Sequence, residues 1–177
     1  MIFILTGPVH SGKTAFLKKL IERLKDSGIS VAGYWSERVS VQEKISGYDL
    51  VDLDSRRQFP LLRKTGHPDW PRTGVFYFQP EGLAAARKII HNAGKAELLV
   101  VDELGPAEIS GSGLWPVLSR VIDPVHCLLV VRQSLATRFI NLIKPQALEI
   151  FRPGGEDRVE FIVSRIVEVL RPGNSSG

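Results

Sequence analysis

A lysine and a threonine, Lys13 and Thr14, close the string GPVHSGKT (7–14), with glycines at its first and sixth positions. This is the G-x-x-x-x-G-K-[ST] spacing, in which the glycines let the backbone curl so that successive N–H groups face inward around a phosphate. A helix starting directly behind the string adds partial positive charge. In that arrangement Gly7, Pro8, Val9, His10, Ser11 and Gly12 form a cradle, Lys13 reaches the β- and γ-phosphates of a nucleotide, and the Thr14 hydroxyl takes a Mg²⁺ ion. A plain glycine turn would need neither the lysine nor the hydroxyl. His10 fills one of the free positions and is read as tolerated there, not as catalytic.

A second group of reactive residues ends the run LLVVDE (98–103). Asp102 and Glu103 fall at the C-terminal end of a buried strand, where parallel sheets bind their ligands. Beside a phosphate cradle, Asp102 is expected to hold the metal through water and Glu103 to polarise an attacking water. Without the cradle the same pair would be read as a solvated loop or a helix cap.

The elements that must carry these groups follow from apolar periodicity. IFIL (2–5) is a short buried strand, and from Lys13 onward Phe16, Leu17, Leu20, Ile21 and Leu24 recur at helical spacing until Gly28. Further strands are expected over 29–36, 45–53, 57–62, 75–78, 97–103, 126–131 and 147–151. Helices are expected from Pro80 to Gly94, around 114–122, near 135–143 and from Asp157 to Leu170. The Gly- and Pro-rich stretch KTGHPDWPRTG (64–74) is expected to be a loop. Strands alternating with helices predict an α/β fold, a mostly parallel sheet with helices on both faces, while the close spacing of strands between 29 and 78 predicts a locally antiparallel section.

The chain of 177 residues has the size of one domain, expected over 1–171 with a flexible tail over 172–177. No apolar run reaches the roughly 18 residues that cross a bilayer. The single cysteine, Cys127, lies in an apolar strand pattern, which predicts inert packing and a reducing, cytoplasmic home. A net charge of +4, spread over scattered basic pairs, suits an anionic ligand, and it permits nucleic acid without favouring it.

Three stretches carry a resemblance to a known family: GPVHSGKT with KKLIERLKDSG behind it, GYWSERV (33–39) with SGYDLVDL (46–53), and VVDELGPAE (100–108). They are similar to the phosphate loop, the Gly-aromatic-aromatic-Thr/Ser-Glu and Gly-aromatic-Asp segments, and the Asp-Glu-Ile-Gly-x-x-Glu signature of the small P-loop nucleoside-triphosphatases of the THEP type. The resemblance implies a three-layer P-loop fold with a RecA-like core. It also implies Mg²⁺-dependent, slow hydrolysis of ATP, GTP and other nucleoside triphosphates with broad base preference. Pro106 and Ala107 depart from the family pattern, and the tryptophan of GHPDWPRTG has no counterpart in it.

In a RecA-like sheet the strand 126–131 lies between those bearing the cradle and the acidic pair, which would bring Arg132 and Gln133 to the γ-phosphate edge. Arg132 then either stabilises transition-state charge or forms a surface salt bridge. Glu37, at a strand end, is open between the water or metal shell and ordinary solvation. Glu108 is open between a family acid and a helix cap, and Arg152 and Arg158 between a loop beside the base and the solvated surface. Trp70 is open between base stacking and a hydrophobic anchor.

Three functions fit these residues. The first is hydrolysis with Lys13, Glu103 and Arg132 as the catalytic groups. The second is a kinase passing the γ-phosphate to a small-molecule or nucleic-acid hydroxyl. The third is a nucleotide-gated module resembling the GTP-binding adaptor of molybdopterin-cofactor assembly. No protein partner is legible.

Overall fold

The structure, a computed structural model, describes residues 1–8 and 11–173. Val9 and His10 of the cradle, the side chain of Glu156 and residues 174–177 of the expected tail lie outside the described residues.

Chain order runs β1 (Ile2–Gly7), α1 (Lys13–Asp26), β2 (Val31–Val41), β3 (Lys44–Asp52), β4 (Gln58–Arg63), β5 (Arg72–Thr73), β6 (Phe76–Phe78) and α2 (Pro80–His91). It continues with β7 (Leu98–Leu104), α3 (Pro106–Ile109), α4 (Trp115–Val121), β8 (Cys127–Arg132), α5 (Ala136–Ile143), β9 (Leu148–Phe151) and α6 (Glu156–Leu170). One mixed sheet holds the strands in the order β5-β6-β4-β3-β2-β7-β8-β1-β9. From β2 to β9 all pairings are parallel, and from β2 to β5 all are antiparallel.

The parallel half is apolar on both faces because helices cover both. Successive residues of a strand point to opposite faces, and the sequence sorts accordingly. Phe3, Leu5, Leu98, Val100, Leu128 and Val130 pack with the stripe Phe16, Leu17, Leu20, Ile21 and Leu24 of α1 and with Val159, Ile162 and Ile166 of α6. Ile4, Leu99, Val101, Leu129 and Val131 face the other way, onto Leu83, Ala86 and Ile90 of α2, Leu118 of α4 and Phe139 of α5. The central strands are thereby fixed in register, since a slip of one residue would exchange the two cores.

The antiparallel wing departs from the sequence reading in two ways. β2 runs on to Val41, well past 36, and forms a long hairpin with β3. The stretch 64–74, expected to be all loop, ends in β5, where Arg72 and Thr73 pair with Tyr77 and Phe76. Trp70 packs onto its own loop, its N–H donating to His67 O at 3.0 Å and its ring lying against Gly66 and near His67. The short α3 was not foreseen, because four residues show no period. No helix among the described residues is long and apolar enough to cross a membrane.

Candidate nucleotide site

β1 ends at Gly7, and the cradle turns into α1 at Gly12, which adopts φ 75° and ψ 18°. A Cβ makes that left-handed conformation costly, so the motif's second glycine has a backbone reason. Lys13 opens the helix with its side chain drawn in, only 6% exposed, and its Nζ donates to Pro8 O at 2.9 Å and Gly7 O at 3.3 Å. The ammonium is thus held on the two carbonyls at the start of the loop. α1 carries no acidic residue in its first turn, leaving its positive end unopposed.

Asp102 meets this loop across β7 and β1. Its Oδ2 accepts from Thr14 Oγ1 at 3.1 Å and from the Ser36 N–H at 3.1 Å, and the Ser36 hydroxyl donates to the Asp102 carbonyl. The carboxyl is 1% exposed, and burial, with a smaller contribution from Glu103, pushes its pKa up to about 7 against the hydrogen bonds of Ser36 and Thr14 and the charge of Lys13. Its other oxygen, Oδ1, is buried with no hydrogen-bond partner. A buried, half-satisfied carboxylate beside a threonine hydroxyl is a fitting place for a hard divalent cation. No group of three His, Cys, Asp or Glu side chains gathers among the described residues.

Glu103, next to Asp102 on β7, meets Arg132 at the end of the neighbouring β8. β8 lies between β7 and β1, Arg132 stands directly opposite Gly7, and its Nε donates to Glu103 Oε1 at 2.6 Å. The β7–β8 pairing skips from Val101 to Leu104, so Asp102 and Glu103 leave the ladder there. A cleft of about 410 Å³ joins Lys13, Thr14, Ser36, Glu37, Glu103 and Arg132. Gln133 lies further along, in a shallow cleft with Pro8 and Arg132.

The remaining candidates divide. Glu37 lines the 410 Å³ cleft, its Oε1 accepting from Trp35 Nε1 at 2.8 Å and pairing with Lys18. Glu108 is a cap: Oε2 accepts from the Gly105 N–H at 2.8 Å and Oε1 from the Leu114 N–H at 3.1 Å, and burial raises its pKa. Arg152 and Arg158 do not line the loop's second cleft, of about 360 Å³; Pro153, Gly154 and Gly155 do, opposite Ser11, Gly12, Ala15 and Lys19. Cys127 is buried, and burial pushes its thiol up to about 12, as inert packing requires. Ser36 is the neighbour of Asp102 that the sequence reading passed over. It stands beside Glu37 in GYWSERV, but only the β2–β7 pairing, with Tyr34 opposite Val101, brings it to Asp102.

A model of the NTPase family matches residues 2–166. The chain belongs to that NTPase family. Nucleoside-triphosphatase THEP1 of Hyperthermus butylicus is 32% identical over 139 residues, covering 77% of this chain and 74% of the relative. A cancer-related nucleoside-triphosphatase homolog of Mus musculus is 34% identical over 137 residues, 71% of each chain. Among solved structures, a human cancer-related nucleoside triphosphatase (24% identity) covers 98% of each chain, and THEP1 of Aquifex aeolicus (21%) covers 97% of this chain and 99% of that one. Both superpose with a TM-score of 0.70. This NTPase is therefore of the THEP type, with an α/β P-loop fold, and its family is one of nucleoside-triphosphate hydrolases.

Proposed function

We propose that this NTPase hydrolyses nucleoside triphosphates to the diphosphate and phosphate in a Mg²⁺-dependent reaction. The single observation that carries the reading is the Thr14–Asp102 hydrogen bond beside Lys13, with the Glu103–Arg132 pair linking the same strand to its neighbour. The cradle N–H groups and Lys13 bind the β- and γ-phosphates, and Lys13 exchanges its two carbonyl acceptors for phosphate oxygens. Thr14 and Asp102 would hold Mg²⁺, which supplies neutralisation of phosphate charge when bound. Glu103 orients the attacking water and accepts its proton, and Arg132 stands where charge builds on the γ-phosphoryl oxygens.

Broad base preference is supported by the cleft of Ser11, Gly12, Ala15, Phe16 and Pro153–Gly155. Among the described residues its lining is backbone and apolar surface beside Ser11 and Lys19, which offers a base stacking and few fixed hydrogen-bond partners. The names of the relatives favour water over an organic acceptor as the nucleophile. We place the enzyme in the cytoplasm, in keeping with its one free, buried cysteine.

Phosphate release from ATP, GTP, CTP and UTP, with and without Mg²⁺, tests the reading, with Lys13→Ala as the blank. All four should be hydrolysed only with the metal and only by the unaltered chain. Glu103→Gln should still bind nucleotide and release no phosphate. Equal release in the blank would remove the assignment.

A further inference from the structure

A larger cleft, of about 590 Å³, opens at the opposite end of the sheet from the phosphate loop. The loop follows the C-terminal end of β1, whereas this cleft forms where β2 begins, β3 ends and β4 begins, against the last turns of α2. It is there because small residues stand where helix and strands would otherwise pack: Ala32 and Gly33 on β2, Ala85 on α2 and Ala96 ahead of β7. Gly33 has φ 116°, and a Cβ on it would lie 1.9 Å from the Val100 carbonyl oxygen, so no side chain can fill the space from that position.

The walls are chemically sorted. Val31, Phe59 and Ile89 give an apolar floor, and the Arg57 guanidinium lies 5.1 Å over the Phe59 ring, offering a flat stacking surface. Lys88 and Lys95 stand at the rim with Arg57, and among the described residues none of these three is in an ion pair. Two acids share the lining. Asp52 accepts from the Asp54 N–H at 3.1 Å and from Ser55 Oγ at 2.6 Å and keeps its charge, so with the exposed Asp54 two carboxylates stand against the three cations, and the lining stays net positive.

We propose that this cleft is a second ligand site, for a small organic phosphate with a planar body, of the nucleoside monophosphate class. The planar body stacks on the Arg57–Phe59 platform above the small residues, and the phosphate lies between Lys88 and Lys95. Its volume falls within the roughly 300–1,000 Å³ of small-molecule sites, and an apolar floor with a few convergent charges is their usual construction. An inorganic anion would leave the floor unused, and an uncharged planar molecule would leave three cations unpaired. The site shares no lining residue with the phosphate-loop clefts, so it is independent of the hydrolytic reading.

Titration of the whole chain with AMP, followed by backbone amide NMR shifts, tests this, with adenosine and inorganic phosphate as separate arms. AMP should shift the amides of Ala32, Phe59 and Lys88, and the two half-ligands should do so only at about tenfold higher concentration or above. Reversing two rim charges in Lys88→Glu/Lys95→Glu should weaken AMP by about tenfold or more at those amides. NTP hydrolysis by that variant should stay at the parent rate, which shows that it folds. Ala85→Leu, which fills the cleft, should abolish the shifts. AMP shifts confined to Gly12–Thr14, adenosine binding as tightly as AMP, or affinity indifferent to both variants would each overturn the proposal.

Discussion

Arg132 Nε donates a 2.6 Å hydrogen bond to Glu103 Oε1 while its backbone stands opposite Gly7, so one residue of β8 links the start of the phosphate loop to the acid on β7. Arg132 therefore has two jobs in the proposed reaction, aiming Glu103 and meeting charge on the γ-phosphoryl group. Arg132→Ala should lower kcat by about 100-fold with little change in KM, the usual loss when a transition-state donor is removed. Arg132→Lys should recover part of the rate, because the charge survives and the planar fork does not. A change of kcat below about threefold in steady-state assays would reduce the pair to a surface salt bridge.

Asp102 is buried with one oxygen satisfied and the other without a partner. Asp102→Asn keeps the shape and removes a charge that the fold leaves half compensated. The variant should melt at or above the parent temperature without nucleotide, and Mg²⁺-dependent hydrolysis should fall to background. A large drop in melting temperature would mean that the carboxylate serves the fold and not the ligand.

Glu108 ties the exit of β7 to the entry of α4 through the Gly105 and Leu114 N–H groups. Glu108→Ala leaves two buried donors without acceptors, each worth about 1–3 kcal/mol, so urea unfolding should show a loss of roughly 2–6 kcal/mol. Glu108→Gln keeps one strong acceptor and should lose about half as much. Equal stability of all three proteins would show that water replaces the cap.

Glu97 joins the end of α6 to the start of the parallel strands. Arg171 Nε donates to Glu97 Oε1 at 2.9 Å and Nη2 to Oε2 at 3.1 Å, with Ser30 adding its N–H and hydroxyl. These contacts, Arg171 first, hold its carboxyl at about 2 against an ordinary 4.5. The folded chain thus binds this proton more weakly than the unfolded chain. Its contribution is full above the ordinary value and is lost as the pH falls toward about 2. Solvent exposure keeps the contribution small, so Glu97→Gln should destabilise by about 1 kcal/mol at neutral pH. The gap should narrow between about pH 4.5 and pH 3 in chemical denaturation. A gap that stays constant over that range would contradict the linkage.

Local pattern alone determined the phosphate loop, the acidic pair and the elements that carry them. Glycine backbone requirements, a lysine and hydroxyl at fixed offsets, and apolar periods of two and 3.6 act over a few residues and are written in consecutive sequence. The place of β8, between the strands of the loop and the acids, followed only from the family resemblance, which implied a RecA-like sheet. The length of the β2–β3 hairpin and the strand inside 64–74 did not, because cross-strand partners rescue sequences whose own propensity is weak.

The tertiary structure decided which atoms meet. Ser36 became a partner of Asp102, Glu37 of Trp35 and Lys18, and Glu108 a cap, through contacts between residues that sheet order and register bring together. Thr14 and Asp102 stand 88 positions apart and lie within 3.1 Å only because β1 and β7 flank the same strand. Spacing within a motif sets which groups are available, whereas their mutual distances are set by the packing of nonlocal strands, a property of the whole chain.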